Sequence, residues 1–102
     1  MTFDDLCKRL TDLGGEQVEE SAAEKLEGVD LTELKECGFS KTACFVLPLD
    51  RSYHELKAIA YTACRMLVVC VFEYGGEADF ALFGVPYLEF SYAEIARAAI
   101  LK

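Results

Sequence analysis

At 102 residues and 53% hydrophobic side chains, the chain has room and material for one core, which argues against intrinsic disorder and points to one domain spanning residues 1–102. Eighteen acids against ten bases leave a net charge of −8, a balance that repels phosphate backbones and anionic lipid. Neither a direct nucleic-acid partner nor a membrane is therefore expected, whereas a basic protein surface would be attracted.

The charge is unevenly spread. Residues 1–40 carry eleven acids and four bases, a net of −7, while residues 41–102 carry seven acids and six bases, a net of −1. An acidic helical part is thus expected over 1–40, followed by a sheet with helices over 41–102. Thr2 with Asp5 has capping-box spacing, and Phe3, Leu6, Cys7, Leu10 and Leu13 form one apolar stripe. They predict a first helix over 3–13, with Asp4–Lys8 and Asp5–Arg9 paired outside. Glu16–Glu27 is read as a thin surface helix on Val18, Ala22 and Leu26, with a fresh start at Ser21 capped through Glu24. Asp30 and Glu33 open a third helix over 31–37. Gly14, Gly28 and Gly38 stand where helices end in a left-handed residue, and Phe39 is placed to pack back on Leu34.

After Lys41 the texture changes. "ACFVLPL" reads as a strand with Pro48 near its end. Ser52 and Glu55 then cap a helix over 53–64 whose inward residues are Tyr53, Leu56, Ile59, Ala60 and Ala63, with Cys64 on the same face. "MLVVCVF", Met66–Phe72, is the longest apolar run; it is apolar on both faces and too short to span a membrane. Gly75 and Gly76 turn the chain into "ADFALFG". Leu88–Phe90 is a candidate fourth strand, and Ser91 with Glu94 caps a closing helix over 92–101, expected to be well buried because it is apolar around most of its circumference. The predicted class is α+β, in the order α-α-α-β-α-β-β-α. The strand–helix–strand succession favours a right-handed parallel crossover and so a small mixed sheet, three- or four-stranded, with helices on both faces.

Gly75, Gly76, Glu77, Asp79, Phe80, Ala81 and Leu82 resemble the hairpin signature of diguanylate cyclases over about ten residues, with Ala78 as an extra residue. One inserted residue turns every later side chain to the other face, and the metal-binding aspartate and phosphate loop that the family would imply have no counterpart upstream. The glycines read as a tight turn. "SYAEIARAAILK" resembles the first helix of helix-turn-helix units such as that of alkylguanine-DNA alkyltransferases, but the charge has the wrong sign for DNA.

Five cysteines without a Cys-x-x-Cys pair, each on an apolar stripe or run where its place is readable, read as reduced core thiols. One histidine leaves little for a metal site, and no cofactor is expected. With neither a signal nor a transit peptide in view at Met1, the expected location is cytoplasmic.

Two functions follow. In the first, Glu16, Glu19, Glu20, Glu24, Glu27, Asp30, Glu33 and Glu36 form the contact face of a protein-binding module. Such a module would act as an inhibitor or regulator on a basic, nucleic-acid-binding partner surface, in the manner of an immunity protein or a phage inhibitor of host defence. A homodimer through the sparse helix Glu16–Glu27 is a related expectation. In the second, a small enzyme or a ligand- or metal-binding domain would use Asp50, Arg51, His54, Glu73, Glu77 and Asp79, gathered at the C-terminal edge of parallel strands.

Overall fold

The computed structural model describes residues 1–49, 56–60 and 62–102. Among them the chain forms α1 (Phe3–Asp12), β1 (Glu16–Val18), α2 (Glu20–Glu24), α3 (Thr32–Glu36), β2 (Lys41–Pro48), α4 (Lys57–Ala60), β3 (Met66–Tyr74), β4 (Glu77–Val85) and α5 (Phe90–Leu101). The class is α+β, as expected. The four strands make one sheet in the order β1-β2-β3-β4, and every pairing is antiparallel.

That corrects the mixed sheet. Lys41 lies opposite Glu73 and Pro48 opposite Met66, so β2 and β3 run in opposite directions. The Leu49 N–H donates to the Arg65 carbonyl at 3.0 Å, which closes the connection at the end of the sheet where β2 finished. Two apolar runs flanking a helix do not encode strand direction. The fourth strand is also not Leu88–Phe90 but Glu16–Val18, taken from the segment read as a helix. Gly15 brings it in: a Cβ there would stand 2.8 Å from the Leu10 carbonyl oxygen and 3.3 Å from the Leu47 side chain. A three-residue strand is too short to show the alternation that would reveal it.

Alternation along β2 and β3 sends side chains to both faces. Ala43, Phe45, Leu47, Leu67, Val69 and Val71 pack with Leu6, Leu10 and Leu13 of the α1 stripe, Ile59 of α4 with Leu56 just before it, and Ala96 and Ile100 of α5. On the other face Cys44, Val68, Cys70 and Val85 pack under Ala23, Val29 and Leu31 from the α2–α3 segment. Helices on both faces were expected.

Thr2 and Asp5 form the predicted capping box, with the Asp5 N–H donating to Thr2 Oγ1 at 3.1 Å and the Thr2 N–H to Asp5 Oδ2 at 3.2 Å. Arg9 does not turn to Asp5. Its Nη2 and Nε donate to the Ala99 and Ile100 carbonyls at 2.9 and 3.3 Å, satisfying acceptors that the end of α5 leaves open. The caps predicted at Ser21 and Ser91 are displaced. The first carbonyls of α2 and α5 belong to Glu19 and Glu89, each accepting from the N–H groups three and four residues on. Leu56 and Ile59 are buried as expected, while Cys64 is buried in the loop before β3 rather than on a helix, and Ala63 is exposed. The Ser52–Glu55 cap and Tyr53 lie outside the described residues.

Tyr74 and Glu77 face each other across Gly75 and Gly76, whose φ values of 60° and 83° suit the tight hairpin that matches strand twist. β4 is an edge strand. At Phe80 its outward carbonyl accepts from Arg97 Nη1 at 3.1 Å, its N–H donates to Asp79 Oδ1 at 2.8 Å, and Arg97 also pairs with Asp79 across that edge. α5 is less buried than its composition suggested: Ala96, Ala99 and Ile100 are covered, but Phe90, Ile95 and Leu101 are exposed, because α1 already fills part of the same sheet face.

Gly28 fastens the α2–α3 segment to the end of β4. With φ of 88°, a Cβ there would run into the Pro86 carbonyl oxygen and come within 2.8 Å of the Gly84 oxygen. Gly38, at φ 65°, faces open space. Gly28→Ala should therefore destabilise by more than about 2 kcal/mol, and Gly38→Ala by about 1 kcal/mol. Urea midpoints at unchanged slope are the measurement.

Candidate functional site

The layer over the Cys44–Cys70 face carries seven of the eight acids, and the neighbouring β1 carries Glu16. Glu16 and Val18 share a face of β1 by alternation, and Val18 packs into the core beneath α2 and α3, so Glu16 belongs to that side. Glu19 stands at the N-cap of α2 and is exposed. Glu20 Oε1 accepts from Thr42 Oγ1 at 2.7 Å, which ties α2 to β2. Glu24 forms an ion pair with Lys35 of α3. Glu27, Glu33 and Glu36 are exposed, and Asp30 Oδ1 accepts from the Thr32 N–H and hydroxyl at 3.0 and 2.6 Å. The inward side of the same segment is held by Ala23, Val29 and Leu31. Most of the acids face outward because the apolar residues between them have a sheet to cover.

Two of these groups are perturbed. The hydroxyl and N–H of Thr32 hold Asp30 below the usual carboxylate range. The Glu24 carboxylate raises Lys35, so that ion pair is intact at neutral pH.

The second set loses the edge on which it was expected to gather. Its gathering edge required parallel strands, and β2 and β3 are antiparallel. Asp50, Arg51 and His54 lie outside the described residues; the chain leaves the description at Leu49, opposite the start of β3. Glu73, Glu77 and Asp79 lie at the hairpin end, about 25 Å away along an eight-residue ladder. They are also divided between faces, since Glu73 alternates with Val71 and Glu77 and Asp79 alternate with Phe83. Glu73 meets Ser40, and Asp79 is taken up by Arg97. Among the described residues no three His, Cys, Asp or Glu side chains gather at metal-binding distance, and no helix is long and apolar enough to cross a membrane.

Beneath the acid layer the structure opens a pocket of about 220 Å³ between α3 and the sheet. Leu31, Leu34, Phe39 and Phe72 line it, Glu20 and Lys35 stand at its rim, and Cys44 and Cys70 lie at its floor. Phe39, expected to fold back on Leu34, stacks on Phe72 with ring centroids 4.3 Å apart and meets Tyr74 edge-on at 6.1 Å. This pocket was not anticipated from the sequence. Its signal is register, which puts Cys44 opposite Cys70, and register becomes readable only once β2 and β3 are known to be antiparallel.

The chain matches no protein-family model, and neither the curated proteins nor the solved structures contain a significant match.

The lowered Asp30 pKa fixes a sign for stability against pH. A carboxylate whose folded pKa is depressed contributes stability above the unfolded value, and this is lost as pH falls through the folded one. Asp30→Ala should therefore flatten the loss of stability below about pH 4, read as urea midpoints across an acid titration.

Proposed function

We propose that the protein is a protein-binding module whose α2–α3 layer docks on a basic surface of a partner and regulates it, most simply by covering that surface. The observation that carries this reading is that seven of the eight acids, Glu19 to Glu36, lie in one thin layer with Glu16 of β1 on the same side, and that Glu16, Glu19, Glu27, Asp30, Glu33 and Glu36 are exposed. Lys25 and Lys35 are the bases within that stretch, and Lys35 is engaged by Glu24. A field of one sign steers encounter with a basic partner and disfavours wrong ones. A partner whose basic surface normally holds nucleic acid would be inhibited by competition. The cytoplasm is the compartment this reading assumes.

A second reading rests on the opposite side. Tyr87 and Phe90 are 67% and 81% exposed, and Phe90, Ala93 and Arg97 of α5 border a shallow groove with Phe80 and Leu82 of β4. Exposed aromatic side chains beside an apolar groove suit self-association, so a homodimer would use this face rather than the acidic one. Sedimentation of wild type and Phe90→Ser separates the two: a dimer lost in the variant supports this interface, and a monomer in both removes it.

For the acidic layer, affinity capture from the source cells at low and high salt should yield a basic protein only at low salt. Charge reversal at Glu27 and Glu33 leaves the Glu20–Thr42 and Glu24–Lys35 contacts in place. It should slow association with the captured protein about tenfold while changing dissociation little. Association insensitive to both salt and charge reversal would overturn the reading.

A further inference from the structure

Cys44 and Cys70 are directly opposed in the β2–β3 ladder, both point to the α2–α3 face, and their sulfurs are 3.1 Å apart. The Glu73 carbonyl accepts from the Ser40 N–H at 3.2 Å, so Glu73 turns its backbone toward β2. Val71 and Val69, alternate residues of the same strand, do likewise, and Cys70 falls between them in the non-hydrogen-bonded set. Opposed Cα atoms in that set approach to about 4.5 Å, inside the roughly 4.4–6.8 Å that a disulfide spans. About 1 Å of further approach separates these sulfurs from a covalent bond. Cys44 and Cys70 are only 2% and 3% exposed, yet both line the pocket of about 220 Å³ under α3, which has room for a small solute.

We propose that Cys44 and Cys70 are a peroxide-reactive pair that closes to a cross-strand disulfide within the folded chain. Either sulfur can donate in this contact; with the Cys70 thiol as donor, the bond holds Cys44 below the usual thiol range and pushes Cys70 above it, which makes Cys44 the nucleophile. The Cys44 thiolate attacks one oxygen of hydrogen peroxide, the O–O bond breaks, and hydroxide leaves and becomes water with a proton from solvent. Cys44 is then a sulfenic acid. The Cys70 sulfur attacks Cys44 Sγ, the S–O bond breaks, and the departing hydroxide takes the Cys70 proton. Two thiols lose two electrons in all, and one peroxide becomes two waters. The remaining cysteines differ: Cys7 and Cys64 are pushed up by burial, and Cys37 lies exposed at the end of α3 with its sulfur on the Glu33 carbonyl. The proposal is independent of whether the acid layer docks on a partner.

The test is mild hydrogen peroxide on the reduced full chain, followed by alkylation, intact mass and peptide mapping. The expected product is lighter by two hydrogens, contains a Cys44–Cys70 linked peptide, and reverts with dithiothreitol. The Cys7→Ser/Cys37→Ser double variant should behave identically. Cys70→Ser should leave Cys44 as a sulfenic acid that a dimedone probe traps. If the wild type and the folded double variant keep both thiols free, over-oxidise Cys44 without a link, or link other cysteines instead, the proposal is overturned. Mapping of those two proteins decides the matter even if Cys70→Ser does not fold.

Discussion

Val68 and Val69 are neighbours in β3, and both are shut away from solvent. Consecutive residues of a strand point to opposite faces, so this sheet has to be covered twice. On the Val69 side the cover is substantial, since α1 and α5 are ten and twelve residues long and are joined to each other by Arg9. On the Val68 side, among the described residues, the cover is α2, α3 and the turns between them, and α2 and α3 have five residues each. The division of the molecule into a thick apolar side and a thin acidic side follows from the one strand between them.

Helices of five residues do not persist on their own. α2 and α3 exist because Ala23, Val29 and Leu31 are buried against the sheet and because Gly28 lets the chain press on Pro86. The charge they carry works against them, since like charges held close oppose compaction. The Glu24–Lys35 pair joins the two helices, and the Glu20–Thr42 bond joins the layer to β2. Both contacts are local and exposed, so this layer belongs to the part of the structure that opens at least cost. The thiols of Cys44 and Cys70 are sheltered only as well as that layer stays closed.

Much of the architecture was legible where one segment carried its own signal. The stripe of α1, its Thr2–Asp5 box, the two-faced apolarity of β3 and the Gly75–Gly76 turn all needed only local chemistry. Direction and register did not. Whether β2 runs with or against β3 is decided by where the connection closes, and the Leu49–Arg65 bond is invisible in the sequence. From that one error came the supposed gathering of Glu73, Glu77 and Asp79, and with it went any reason to bring Cys44 near Cys70. β1 was hidden because Val18, Ala22 and Leu26 imitate a helical stripe while Val18 alone sits in the sheet. The acidic surplus was plain from counting, but the gathering of most of it over one sheet face follows only from the second face that the residues between the acids must cover.

The clamp at Phe80 has a meaning beyond packing. A nine-residue edge strand containing Phe80, Leu82 and Phe83 is a template on which another chain could extend the sheet. Arg97 and Asp79 occupy the outward groups of Phe80, and the guanidinium also lies 4.4 Å from the centre of that ring. The guard is shared: Asp79 of the strand takes the Phe80 N–H, and Arg97 of α5 takes its carbonyl. Lifting α5 would bare the Phe80 carbonyl to a second chain, so exposure of this edge follows the undocking of one helix rather than global unfolding.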